Sequence, residues 1–229
     1  MSMITEIDGR VWKTALDAVY IAAPKKDYGR PVMECLKLEA NGSLRMIAAD
    51  SYRVHIADIP ARCETMIEVL ANAQALHKIK PGKVVSLGIQ GTALTVNGQL
   101  VPGCDDRYPD YQQIIPTRFA WSFQIEAEEL RQSVKFVSAI AQFGANIVVL
   151  EDGFLSTHKL SEGYSFCLLE TMRVTTGPMP MMAFNYRYLA DALRGESGQV
   201  TVSGNNDIGP VLLTGQIAER VIMPMRAER

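Results

Sequence analysis

The second half of this 229-residue chain repeats the order of elements found in its first half. An internal repeat restricts the fold more than any local pattern does. Val84 in K-V-V-S-L-G-I-Q-G-T-A-L-T-V aligns with Val200 in Q-V-T-V-S-G-N-N-D-I-G-P-V-L-L-T, which predicts a constant offset of roughly 116 residues. Residues 10–23 place Trp12, Leu16, Val19, Tyr20 and Ala23 on one helical face, and residues 126–143 do the same with Leu130, Val134, Val137 and Ala141. Strand-like runs with turn signals follow each helix: M-E-C-L-K-L-E before A-N-G, and N-I-V-V-L before E-D-G-F. A shorter helix comes next in each half. Asn72 offers it a cap and Pro81-Gly82 a stop in the first; Asn185 and Gly195 take those roles in the second. Each half thus reads as strand, long helix, several strands, short helix, more strands, an α+β unit with two helices against antiparallel sheet. The boundary is expected near Pro116-Thr117, after the polar stretch D-D-R-Y-P-D-Y-Q-Q, giving units 1–116 and 117–229.

Composition narrows the function classes. With 48% hydrophobic and 21% charged residues the chain is ordinary globular material. No apolar run approaches the roughly 18 residues of a membrane span, and M-S-M-I-T-E-I-D lacks the basic start and apolar stretch of a signal peptide. A cytoplasmic protein without membrane contact is expected. The net charge of −2 excludes coating of nucleic acid by bulk attraction but leaves room for one segregated basic face. Cys35, Cys63, Cys104 and Cys167 stand far apart in sequence with no C-x-x-C pair, and read as buried or idle thiols. No two Cys or His have zinc-ligand spacing, so neither metal nor cofactor is expected.

Catalysis finds little support. The histidines are His55, His77 and His158, and the spacing of His55 to Asp58 is a common chance pattern. G-N-N-D (Gly204 to Asp207) sits between strand runs and reads as a turn. M-P-M-M (Met179 to Met182) precedes a helix and is expected to pack rather than to bind a cofactor. No phosphate-binding loop, H-E-x-x-H or G-x-S-x-G is present, so the chain is expected not to be an enzyme.

Chain ends are usually polar and frayed, yet this one finishes V-I-M-P-M-R-A-E-R (Val221 to Arg229). Alone, V-I-M-P-M fits a last core strand with Pro224 at an edge. Three segments together suggest more. A-A-D-S-Y-R-V (Ala48 to Val54) resembles the T-D-G-x-R-L element of bacterial replicative sliding clamps, the DNA polymerase III beta subunit family. R-Y-P-D-Y-Q-Q-I-I-P (Arg107 to Pro116) resembles that family's R-F-P-D-Y-x-x-V-L-P linker, and V-I-M-P-M-R its last residues. In order, the three cover nearly the whole chain as the middle and last of the usual three clamp domains.

The resemblance implies two clamp domains per chain and a DNA polymerase processivity factor. With the usual first domain absent, a six-domain ring needs three copies, so a homotrimer joined head to tail is expected. The implied partners are duplex DNA bound without regard to sequence, DNA polymerase and other clamp-binding-motif peptides, and a clamp-loader ATPase. The runner-up is a clamp-derived peptide-binding adaptor or regulator that does not encircle DNA. An unrelated α+β oligomer is the third reading.

In the family, helices line the central hole. By position the DNA-facing residues would be Arg10, Lys13, Lys25, Lys26, Arg30, His77, Lys78, Lys80, Arg131, Lys135, Arg187 and Arg194. Asp17 shares a side with Arg10 and Lys13, and Asp191 lies among the arginines. Arg131, Lys135, Ser138 and Gln142 are expected to form a stripe with no acid. Without the resemblance, these are solvated helix faces. A ring that tethers by topology needs only weak, sequence-blind attraction to phosphates, and acids such as Glu64, Glu68, Glu151 and Glu162 are expected outside. The family's peptide groove lies between the middle and last domains. Its residues here would be Met33, Ala49, Ser51, Tyr52, Arg53, Val54, Pro109, Gln113, Ile114, Val221, Ile222, Met223, Pro224, Met225 and Arg226. Met moulds to varied apolar anchors, with Arg53 or Arg226 as a polar grip. Ser51, Tyr52 and Val54 depart from the motif and alter the groove's shape. The tail Ala227-Glu228-Arg229 extends past the family's usual end and could partly cover it.

Overall fold

The computed structural model describes residues 2–27, 29–157 and 165–226. His158, Glu162 and the tail 227–229 lie outside the described residues. The chain divides into two compact units, Met1–Tyr111 and Gln112–Arg229.

Unit 1 runs β1 (Ser2–Asp8), α1 (Gly9–Val19), β2 (Cys35–Ala49), β3 (Arg53–Asn72), α2 (Ala73–Lys78), β4 (Val84–Gln90), β5 (Ala93–Val96) and β6 (Gln99–Leu100). One antiparallel sheet has the order β1-β4-β5-β6, and β2 and β3 form a long antiparallel hairpin. Asp8 starts α1, its Oδ1 accepting from Arg10 N at 2.8 Å and Val11 N at 3.2 Å. Those two bonds satisfy donors the helix cannot. Gly9 is required beside it, because a Cβ there would collide with the carbonyl oxygen of Gly82 in the turn before β4. Trp12, Leu16 and Val19 are buried as the periodicity predicts, and α1 packs on β3. After Val19 the helix tightens into a 3-10 turn, Tyr20–Ala22.

Unit 2 runs β7 (Trp121–Glu126), α3 (Ala127–Ala141), β8 (Ile147–Glu151), β9 (Phe154–Thr157), β10 (Phe166–Leu168), β11 (Arg173–Thr176), β12 (Met182–Asn185), α4 (Tyr186–Ala192), β13 (Gln199–Gly204), β14 (Val211–Thr214) and β15 (Glu219–Ile222). Its strands form the orders β10-β9-β8-β12 and β11-β7-β13-β14-β15, all antiparallel. Leu130, Val134, Val137 and Ala141 of α3 join Trp121, Phe123, Phe184 and Leu213 in one core. Met182 is buried there and Met179 packs against it, so M-P-M-M is packing material. At G-N-N-D, Asn206 Oδ1 accepts from Ile208 N at 3.1 Å, closing the expected turn.

The α+β repeat is therefore present, with two corrections. The offset is not constant: the long helices begin 118 residues apart, at Gly9 and Ala127, whereas the capping residues Asn72 and Asn185 stand 113 apart. Insertions between helices absorb the difference. The A-N-G signal does not end a strand either. β2 continues through it, with register shifts at Ala40/Gly42 and Gly42/Leu44, and Gly42 takes a φ of 73°. A left-handed glycine inside a ladder makes a bulge rather than a hairpin turn.

Candidate nucleic-acid interface and peptide-binding segments

The segment A-A-D-S-Y-R-V is the turn between β2 and β3, with Ala49 paired to Val54. Asp50 organises it: Oδ1 accepts from Tyr52 N at 2.8 Å and Arg53 N at 3.0 Å, and Oδ2 from Arg53 Nε at 3.0 Å. Arg53 Nη2 donates to the carbonyl of Ile21 at 2.9 Å, and only 10% of its side chain is exposed. Arg53 thus braces the turn against the 3-10 turn that follows α1, and gripping a peptide would disrupt those bonds. Ala49 and Val54 are buried, as is Met33 in the 3-10 turn Pro31–Glu34. Tyr52 is 57% exposed at the tip. Arg30 Nη2 donates to Ser51 Oγ at 2.5 Å, so a residue expected to face DNA touches one expected to hold peptide.

In the second segment Tyr108 and Tyr111 are buried. Burial pushes the Tyr108 phenol well above its ordinary value. Tyr111 OH donates to Glu39 Oε2 at 2.9 Å, and Lys37 Nζ meets Glu39 at 2.7 Å and Glu68 at 3.1 Å. Pro109, Gln113 and Ile114 are exposed.

The third segment has two parts. Val221 and Ile222 belong to β15 and are buried. Met223, Pro224 and Met225 are half-buried, and Arg226 is exposed. Met225 N donates to the carbonyl of Ala183 at 2.7 Å, an isolated antiparallel bridge to β12. Residues 221–226 are thus held, the first two as core strand and the rest toward the surface.

The helices and the segments that follow them carry the basic residues. On α1, Asp17 pairs with Lys13 and accepts from His77 Nε2 of α2 at 3.0 Å, while the His77 ring stacks on Tyr20 at 3.7 Å. Arg10, Lys25, Lys26, Lys78 and Lys80 are exposed. On α4, Arg187 is exposed over the Tyr186 ring, and Arg194 is exposed in the turn after it.

The stripe on α3 departs from expectation. Arg131 pairs with Glu128 one turn earlier, so an acid does share the stripe. Its Nη2 also donates to the carbonyls of Leu193 at 2.9 Å and Glu196 at 2.6 Å, satisfying the end of α4. Ser138 and Gln142 bond to carbonyls of their own helix. Lys135 is the exposed cation of the four. The Gln132 amide holds the exposed Glu128 carboxyl below its usual range, helped by Arg131.

Three features escaped the sequence reading. Cys35 and Cys104, 69 residues apart, meet with sulfurs 3.7 Å from each other, so these thiols are neither distant nor isolated. Glu196 and Arg220 form a buried ion pair. Two exposed aromatics flank the end of α3, Phe136 within it at 59% and Phe143 in the turn after it at 70% exposure. Phe136, Ala139, Ile140, Lys135 and Gln132 line a hollow of about 560 Å³ with Ser165. The seven-residue spacing of the two phenylalanines, off the core stripe, was the available signal.

His55, read beside Asp58 in sequence, is buried with Nδ1 on the carbonyl of Ala18 at 2.8 Å. Asp58 instead takes Arg45 at 2.7 and 2.8 Å. Among the described residues, no three His, Cys, Asp or Glu gather as a metal cluster, and no helix is long and apolar enough to cross a membrane. Glu64, Glu68 and Glu151 are exposed.

No protein-family model matches the chain. Solved structures do. The DNA polymerase III beta subunit of Thermotoga maritima matches with a TM-score of 0.86 and 21% identity, over 100% of this chain and 67% of that one. The DNA polymerase sliding clamp of Bacillus subtilis gives 0.88 and 19%, over 99% and 64%. The beta sliding clamp of C. crescentus gives 0.87 and 21%, over 99% and 66%. The chain spans about two thirds of the length of these structures. Through both of its units, it has the fold of the DNA polymerase sliding clamps.

Proposed function

We propose that this protein is a DNA polymerase processivity clamp that encircles duplex DNA and tethers polymerase and other clients by their peptide motifs. The observation that carries the reading is the clamp fold over both units at TM-scores of 0.86 to 0.88. The role is mechanical: a ring holds its clients near the template by topology and needs no reacting group.

A ring of six such domains takes three copies of these two units, joined head to tail. Two sheet edges that no strand among the described residues pairs suit that arrangement. β6 ends the first sheet of unit 1 and exposes Leu100; β10 ends a sheet of unit 2 and exposes Phe166 and Leu168. Beside β10 stands the aromatic surface of α3. Exposed apolar patches of this kind mark association surfaces, and free edges invite pairing.

Exposed Arg10, Lys25, Lys78, Lys80, Lys135, Arg187 and Arg194 supply the attraction to phosphates. With a net charge of −2 they attract DNA without coating it. For client peptides the contact residues are, in unit 1, the exposed Tyr52 in a chain segment whose Ala49 and Val54 are buried, and, in unit 2, Met223, Met225 and Arg226, which follow the buried Val221 and Ile222. A clamp-loading ATPase opens the ring. The C. crescentus clamp was solved with polyethylene glycol bound at a proposed beta-motif tethering region, which fits a peptide role for the corresponding fold here.

Light scattering coupled to size exclusion, followed by loading onto nicked circular and linearised plasmid, tests the proposal. A three-chain particle retained on circles and lost from linear DNA is expected. A monomer that binds client peptides without retention on circles would replace the clamp by an adaptor.

A further inference from the structure

Residues 101–111 form a strap laid across the β2–β3 hairpin. Val101 N donates to the carbonyl of Leu94 at 2.9 Å, and the carbonyl of Pro102 accepts from Asn72 N at 2.7 Å. Gly103 presses so close that a Cβ would collide with the carbonyl oxygen of Leu70. At the far end Tyr108 and Tyr111 are buried, and Tyr111 bonds Glu39 on β2. Cys104 sits between these anchorages, half-exposed, with Asp105, Asp106 and Arg107 exposed after it. Across from it is the buried Cys35, the first residue of β2, whose S–H donates to Cys104 Sγ over 3.7 Å.

We propose that Cys35 and Cys104 are a reversible thiol pair, closed to a disulfide by exchange with a low-molecular-weight disulfide, which fastens the strap to β2. The two cysteines divide the work. Burial, with the neighbouring Cys104 adding to it, pushes the Cys35 thiol up to about 12, so this sulfur stays protonated as the donor. Cys104 is the solvent-facing member and the first to react. Its thiolate attacks one sulfur of the external disulfide, forming a mixed disulfide and releasing one small thiolate. Cys35 then gives its proton to solvent, attacks Cys104 Sγ and expels the second small thiolate. Two protein thiols are oxidised by two electrons, and the small disulfide is reduced to two thiols.

The bond closes a loop between residues 69 apart and so restrains the unfolded chain. This inference concerns unit 1 alone and stands whether or not the chain encircles DNA.

The test uses the full chain equilibrated with graded mixtures of reduced and oxidised glutathione, then alkylated in denaturant and mapped by mass spectrometry. The expected product has lost two hydrogens and carries a Cys35–Cys104 linked peptide, while Cys63 and Cys167 remain alkylatable. Its thermal midpoint rises by several degrees on oxidation, and this rise disappears in Cys104→Ser. Cys35→Ser should instead accumulate glutathione on Cys104. A glutathione adduct that persists on Cys104 in the unmutated chain would overturn the proposal, as would four alkylatable thiols under the most oxidising mixture.

Discussion

Glu196 and Arg220 are joined in the interior of unit 2, and neither side chain reaches solvent. The carboxylate also accepts from Gln216 N at 2.7 Å and Ala218 N at 3.2 Å. Arg220 donates to the carbonyls of Ala218 at 3.0 Å and Arg194 at 3.2 Å. The pair ties the end of α4 to the turn between β14 and β15, and Arg131 adds α3 from the other side. Burial lowers the Arg220 pKa, with Glu196 opposing it. Removing one member of such a pair leaves a buried charge without compensation, at a cost of about 3–5 kcal/mol. Glu196→Ala should lose stability on that scale in urea unfolding. Glu196→Leu combined with Arg220→Met should lose less than Glu196→Ala alone. Equal stability of Glu196→Ala and the parent would show that the pair holds nothing together.

The alkaline limb of stability follows from two buried acids. Burial, reinforced by Cys104, holds the Cys35 thiol near 12 from an ordinary 9.0, and burial raises the Tyr108 phenol from 10.0. Both are kept neutral in the folded chain and ionise more easily once it unfolds. Their contribution is therefore whole below pH 9.0 and is lost as pH climbs toward 12. Thermal midpoints measured from pH 8 to 11 should fall, less steeply in Cys35→Ala than in the parent. A flat profile would contradict the burial of both groups.

What could be read from sequence was what is local. Trp12, Leu16, Leu130 and Val134 announce their core faces by helical spacing, and Asn72 and Asn185 their caps by position. Contacts between distant residues left no such trace. Cys35 meets Cys104, and Glu196 meets Arg220, only because sheets and turns bring them there. Arg131 illustrates the limit within one helix: its spacing from Lys135 gave the stripe, but its bonds to Leu193 and Glu196 depend on where α4 ends. Of the chain end, V-I-M-P-M taken alone fitted a core strand, which Val221 and Ile222 form, whereas the resemblance put both in the peptide groove; the bridge from Met225 to Ala183 required the fold.

DNA attraction is expected to rest on exposed cations such as Lys78 and Lys135 rather than on Arg131. Each phosphate contact removed should lower the slope of log affinity against log salt by about 0.9. Lys78→Ala and Lys135→Ala should each shorten retention on nicked circular plasmid as salt rises, with peptide binding unchanged. Identical salt slopes for parent and both variants would take these side chains off the DNA-facing surface.

Peptide capture is expected to depend on Tyr52, which is 57% exposed, and on the half-buried Met223 and Met225. Aromatic anchors of this kind typically lose 1 kcal/mol or more, about fivefold in affinity, on truncation. Fluorescence anisotropy with a client-type peptide should report that weakening for Tyr52→Ala. Retention on circular plasmid should not change. Unaltered peptide affinity in Tyr52→Ala and Met225→Ala together would remove the turn and the chain end from the docking surface.

Assembly is expected to rest on the aromatic surface formed by the outer face of α3 and the turn after it. Phe136 is 59% and Phe143 is 70% exposed, and Phe166 and Leu168 of the edge strand β10 are more than half exposed. Such aromatic surface is costly to leave in water, and covering it with a second copy of the chain offsets that cost. Phe136 contributes little to its own fold from this position, since exposed substitutions usually change stability by no more than about 0.5 kcal/mol. Phe136→Glu places a carboxylate where the contact would have to exclude water. Sedimentation equilibrium should then show the particle falling to single chains while circular dichroism and the urea midpoint stay close to those of the parent. Phe136→Leu keeps the apolar surface and should remain assembled. If Phe136→Glu sediments at the parental mass, the copies meet through some other face, and the aromatic surface of α3 has a different occupant.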